Sequence, residues 1–422
     1  MSKVFPILIY TSLLEDTYNV FIFNFKKLIS NIENEDNFLN YITSNQYIAN
    51  LSIGNPSQNI PININLNKEY FFILGNNTGN YNEELSSSLE LSDTKITSNH
   101  EYFISGYKSN ESISLYNLNE KLIQILKLPF VLVNKKAKNT DFILSGGIGF
   151  GYQSQSSPNE NFLKYLSDKK YIDSYTYYIK FDNKNENEGK IYFGNYPHEF
   201  DKRNYPENIF SYFSTPFLSS EFIWEIPFEY FEIENDRIAI SSIDFNNSLN
   251  GIIANDAFKK IFDEYYFAKY YNKTCNYKTQ GKKTFIYCNK DLDIKNFSNL
   301  NFYSKHFNYT FELSFNDLFK KEGDKYYFLI VFDKQIFRNF QFGEPFFRKY
   351  PFVFDQDRKF VGFYKFDKLK NEYNFLLWIL VFIFFILCVI LGICLIKNIY
   401  YKPRKIRANE LEENYSYIPI LK

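Results

Sequence analysis

The sequence predicts a mainly β body followed by one membrane-spanning helix, and three features predict it. From about residue 46 to 366, apolar residues come in short alternating runs broken by Asn, Ser, Asp and Gly, the pattern of many strands. Helical periodicity is confined to short stretches, clearest at 160–167 and 256–266. Residues 375–396 carry no charge and almost no polar side chain. No period of 20 to 50 residues indicates a repeat architecture.

In chain order, Lys3 and the apolar run from Val4 to Leu14 have the size of a signal peptide, assigned here to 1–16. Pro6 interrupts the run and no small-residue cleavage site follows, so an ordinary buried strand is the alternative. Residues 17–45 are polar and charged around a few apolar positions and fit a short prosegment or linker. The body then divides into two lobes, 46–205 and 206–368. A chain of 422 residues that is 45% hydrophobic has enough apolar mass for both. Its 48 Phe and 37 Tyr read as core and strand surface rather than as binding platforms.

Some 22 residues over 375–396, rising ~1.5 Å each, reach about 33 Å, enough for a bilayer core of about 30 Å. Lys397, Lys402, Arg404, Lys405 and Arg407 follow at once, while the other flank mixes Lys368 and Lys370 with Asp367 and Glu372. Basic residues favour the cytoplasmic side. The expectation is a single-pass type I protein with a cytoplasmic tail over 397–422 and a lumenal or extracellular body. Asn50, Asn76, Asn110, Asn246, Asn272, Asn296 and Asn308 head N-x-S/T triplets and permit a glycoprotein. In an oxidising compartment Cys275 and Cys288 are natural partners, closing a loop worth about 3 kcal/mol; two free thiols are the alternative. In the tail, Tyr415 to Ile418 and Tyr417 to Ile420 have the form Y-x-x-Φ and resemble sorting signals bound by clathrin adaptors.

Formal net charge is zero, and no basic block precedes the far C-terminus, which argues against nucleic acid as a partner. His100, His198 and His306 have no Cys or Ser nucleophile motif beside them, and neither HExxH nor clustered cysteines suggest a metal. Gly146-Gly147-Ile148-Gly149 reads as a turn rather than a phosphate loop. No cofactor is expected.

A series of motifs runs through the body. Tyr47-Ile48-Ala49-Asn50-Leu51-Ser52-Ile53-Gly54-Asn55-Pro56-Ser57-Gln58 leads through Asn59 to Asn65-Leu66-Asn67 and the apolar run Tyr70 to Leu74. Asp141 to Gly149, Asn161 to Leu166, Tyr177-Tyr178-Ile179, Gly189 to Gly194, Trp224, Phe342 to Tyr350, and Val353 to Phe363 follow in order. These blocks, covering about 47 to 366, resemble the eukaryotic aspartic proteases of the pepsin family. The resemblance implies the bilobal acid protease fold of two six-stranded-type β-barrel lobes, and a Cys275–Cys288 disulfide in the second.

In that family two aspartates, one per lobe, share a proton because like charges that close cannot both ionise. Here the first position is Asn65, a carboxamide that takes up no proton, and Asn67 replaces the loop glycine. For the second position two alignments stay open: Asp244 in Asp244-Phe245-Asn246-Asn247-Ser248-Leu249, or Ala254 with the active loop deleted, slightly favoured by the phase of Gly251-Ile252-Ile253. The flap falls at Ser105-Gly106-Tyr107, where Tyr107 serves only if the hairpin slips. The expectation is a membrane-anchored pseudo-peptidase of the secretory or endolysosomal system or cell surface, with no catalytic residue, that binds a peptide or protein in its cleft. The alternative is an active aspartic endopeptidase of the same pathway; a purely structural surface protein is a third reading.

Overall fold

The computed structural model describes residues 19–28, 32, 34–66, 68, 70–76, 78–97, 103–136, 145–151, 161–182, 184–214, 224–268, 274–289, 297–336, 339–366 and 378–397. The segment read as a signal peptide, Asn67, and the tail residues Tyr415, Tyr417, Ile418 and Ile420 lie outside them. The described body is mainly β, in sheets of 13, nine and four strands.

The 13-stranded sheet joins the two halves of the chain. At one end it runs through Phe210–Ser214, Phe360–Tyr364, Phe352–Asp355, Thr176–Phe181, Glu188–Phe193 and Phe21–Lys27, and continues into the first lobe. Strands from both halves thus share one hydrogen-bonded platform. The other two sheets build the second lobe, around an aromatic core that includes Phe231, Phe302, Phe311 and Phe340. The alternating runs produce this directly, because period-2 patterning sends every second side chain inward.

Segment 17–45, read as a prosegment or linker, contributes a strand and a helix to the body. Phe21–Lys27 is a strand inside the platform, pairing Phe25 with Gly189 on one side and with Ala49 on the other. Phe21, Phe23 and Phe25 are buried while Asn24 and Lys26 face out, so an amphipathic strand lies inside a segment whose wider composition is polar. The helix Phe38–Thr43 lays Phe38, Tyr41 and Ile42 on Phe285, Tyr327 and Leu329 of the second lobe. Lys27 forms a buried ion pair with Glu344 at 2.6 Å, and Asp36 pairs with Lys278 at 2.7 Å. The segment crosses from one lobe to the other and is bonded to both.

Cys275 and Cys288 stand opposite each other on antiparallel strands and form the disulfide. The C-terminal unit contains a helix, Trp378–Lys397, of 20 residues, long and apolar enough to cross a membrane. Its side chains, Cys388 and Cys394 among them, are exposed.

Candidate functional site

Each lobe carries the same four-strand crossing. In the first, Gln58–Asn65 pairs in parallel with Gly146–Gly149, setting Ile64 against Ile148. That strand runs antiparallel to Phe71–Leu74, setting Ile148 against Phe71, and Phe71–Leu74 lies parallel to Leu122–Lys136. In the second lobe Ser242–Phe245 pairs in parallel with Phe340–Phe342, Phe245 against Phe342. Phe342 is also opposite Ile252 of an antiparallel neighbour, Ile252–Asn255, which lies parallel to Ile330–Asp333.

Matching Ile148 to Phe342 therefore matches Ile64 to Phe245, Phe71 to Ile252, and Asn65 to Asn246. The two loops are equally long between those points. Gly149 and Gly343 confirm the match from packing. A Cβ on Gly149 would lie 2.1 Å from the Lys68 carbonyl oxygen, and one on Gly343 would lie 2.3 Å from that of Gly251. Each loop closes down on its own glycine, which no side chain could replace without moving backbone.

The loops touch at the interface of the lobes. Asn65, 5% exposed, donates through Nδ2 to Ser248 Oγ at 3.3 Å. The Leu66 N–H donates to Asn247 Oδ1 at 3.1 Å. Ser248 N–H donates to Asn246 Oδ1 at 3.0 Å, which turns the second loop back on itself. Asn45 supports that loop from the N-terminal segment, its N–H reaching the Ser248 carbonyl at 3.1 Å and its Nδ2 the Asn247 carbonyl at 2.9 Å. Asn45 Nδ2 also reaches Tyr47 OH at 3.1 Å, and burial holds that phenol well above its ordinary pKa. The meeting point is built from carboxamides, a hydroxyl and main chain.

Neither sequence alignment of the second position holds. Asp244 is inside the strand Ser242–Phe245, buried and in register with Glu225 and Gln341, ahead of the loop that meets Asn65. Ala254 belongs to the strand after that loop, opposite Phe340 and Phe332, and the loop is present in full rather than deleted. The identity of an acid pulls the alignment to Asp244, just ahead of Asn246, and the phase of Gly251-Ile252-Ile253 carries it to Ala254, well beyond the loop. Residue type alone does not mark Asn246, Asn247, Ser248 or Asn45 as site residues. The usable signal was spacing: Asn246 precedes Ile252 by the same interval that Asn65 precedes Phe71.

The flap assignment is corrected too. Ser105, Gly106 and Tyr107 lie within the strand Phe103–Asn117, paired with Thr97, Ile96 and Lys95. They form one arm of a hairpin whose tip, 98–102, falls outside the described residues. Gly106 is required by a close approach, since a Cβ there would come within 2.5 Å of the Leu132 carbonyl oxygen. Tyr107 is exposed on the arm rather than carried at the tip.

With this double crossing in view, the comparisons with known proteins decide the family. The sequence profile described as eukaryotic aspartyl protease matches residues 46–366. The chain belongs to that family. Among solved structures it is similar to conglutin gamma, a unique basic 7S globulin from lupine seeds, with a TM-score of 0.62 at 11% identity, covering 82% of this chain and 95% of that one. Basic 7S globulin from soybean gives a TM-score of 0.61 at 11% identity with the same coverage. At such identity these likenesses establish the pepsin-like fold alone. A search of curated protein sequences finds no significant match. Among the described residues no cluster of three or more His, Cys, Asp or Glu is arranged to hold a metal ion.

Proposed function

We propose that this aspartyl protease homologue is catalytically silent and holds an extended peptide or protein segment in the cleft between its lobes. The observation that carries the reading is the pair of equivalent positions Asn65 and Asn246. Aspartyl catalysis needs one group to take a proton from water and another to give one to the carbonyl, a contribution of typically 10²- to 10⁴-fold. Carboxamides do neither near neutral pH. They retain donors and acceptors suited to a peptide backbone, and strand edges along a cleft can hydrogen-bond a chain without cutting it.

The membrane setting belongs to the same proposal. Residues 1–16 direct translocation, the helix Trp378–Lys397 anchors a type I protein, and the basic cluster after it stays cytoplasmic. The body, glycosylated and held by the Cys275–Cys288 bridge, faces the lumen or the exterior, and Tyr415, Ile418, Tyr417 and Ile420 engage a clathrin adaptor.

The test uses the full chain in detergent with a library of extended peptides from acid to neutral pH. Peptides are expected to bind saturably and to be recovered intact by mass spectrometry. Cleavage that is lost in an Asn65→Ala/Asn246→Ala variant restores the endopeptidase reading, and absence of binding removes the cleft-receptor reading. Redistribution of the protein on replacing Tyr415 and Tyr417 with Ala tests the tail; unchanged localisation refutes it.

A further inference from the structure

The outward face of the platform carries a groove of about 740 Å³, away from the Asn65 and Asn246 loops, across the strands Thr176–Phe181, Glu188–Phe193, Phe21–Lys27 and Tyr47–Ile53. Antiparallel register sets Lys190 directly opposite Lys180, and Asn24 opposite Lys190. Lys26 and Lys184 also line the groove. Like charges directly opposed on neighbouring strands destabilise a sheet unless something lies between them.

The compensation visible on the protein is incomplete. Of the two carboxylates lining the groove, Glu188 is held by Lys26 at 3.0 Å and Asp182 accepts the Lys184 backbone N–H at 2.7 Å. Among the described residues Lys190 approaches one carboxylate, Glu120, at 3.9 Å. Lys180 Nζ lies 5.7 Å from the centroid of the Tyr205 ring, and no ion-pair partner is found for Lys180 or Lys184 among the described residues. Four ammonium groups thus meet three carboxylates, Glu120 included, in a chain whose net charge is zero. Tyr192 and the carboxamides of Asn24 and Asn50 complete the wall with a ring and neutral donors.

We propose that this groove binds a small, multiply charged anion of the sulfated or phosphorylated sugar class, with Lys180 and Lys190 as paired anchors. A bound anionic group between them turns one repulsion into two attractions. The volume lies within the roughly 300–1,000 Å³ common for small-ligand sites. Carboxamides and a tyrosine face suit the hydroxyls and the ring of a sugar. The site is independent of what the inter-lobe cleft binds.

Isothermal titration of sucrose octasulfate into the detergent-solubilised full chain tests this, with the protein produced under inhibited N-glycosylation so that no attached glycan covers the rim at Asn50. Saturable binding at low salt, weakened as salt rises, is expected. Lys180→Gln/Lys190→Gln should lose at least about tenfold in affinity with a melting transition no lower than that of the unaltered chain, whereas the exposed control Lys95→Gln/Lys121→Gln should keep the affinity. No binding at low salt, undiminished binding in the first double variant, or an equal loss in the control overturns the site.

Discussion

Replacing Asn65 with Asp puts back one ionisable group with almost no change of shape, and the consequence follows from burial. Asn65 is 5% exposed, with its amide against Ser248 Oγ at 3.3 Å. A carboxylate there loses most of its hydration, which raises the folded-state pKa above the unfolded value of about 3.9. Below about pH 4 the side chain is protonated in both states, and Asn65→Asp should match wild type. As pH rises the unfolded state releases its proton first. The variant then loses about 1.4 kcal/mol per pH unit until the folded pKa is reached, and the deficit is constant beyond it. A rise of two units gives a loss of about 2.7 kcal/mol at neutral pH. Denaturant unfolding of the full chain in detergent at acid and neutral pH measures the difference. A variant whose pH curve superimposes on wild type would refute the argument, because the site would then be solvated. The single variant should also remain without peptidase activity, since Asn246 still cannot exchange a proton. Only Asn65→Asp/Asn246→Asp rebuilds an acid pair.

Four further outcomes are expected. Cys275→Ser/Cys288→Ser should lower stability by about 3 kcal/mol, read from the unfolding midpoint under non-reducing conditions. Lys27→Met leaves the buried Glu344 with one cationic partner fewer and should cost about 3 kcal/mol, most of it recovered in Lys27→Met/Glu344→Leu. Gly149→Ala forces a Cβ onto the Lys68 carbonyl and should shift the melting transition sharply downward, whereas Gly281→Ala, which meets no atom but must hold a φ of +61°, should cost only about 1 kcal/mol. Burial holds the His198 imidazole below its usual value against the pull of Glu199 and Glu207, with its Nδ1 2.8 Å from Tyr364 OH. Its contribution is complete above the unfolded pKa of about 6.5 and is lost as pH falls through that value toward the folded one, so His198→Gln should flatten the acid limb of the melting curve.

The strand-rich body, the disulfide and the apolar helix were legible because each rests on a local signal: period-2 alternation, a pair of cysteines flanking a short loop, an unbroken uncharged run. The platform strand Phe21–Lys27 was not, because its alternation is short and the polar residues of the wider segment 17–45 hide it. The loss of the first acid could be read directly at Asn65. The second position could not, because Asp244 and Asn246 lie two residues apart and only the register against Phe342 separates them. Residue type pointed to the acid, while hydrogen bonding between distant strands pointed to the amide. Contacts such as Asn45 to Asn247 span the lobes and leave no local trace.

The shared platform also sets a timetable for biogenesis. Its members include Phe21–Lys27, made before the rest of the body, and Phe360–Tyr364, made almost at the end of it. Pairings of such long sequence separation form late, and the sheet stays unfinished until nearly all of the body has been synthesised. During that interval strand edges that will later be covered are open, so this chain should lean on chaperones for longer than a protein whose domains close one after another.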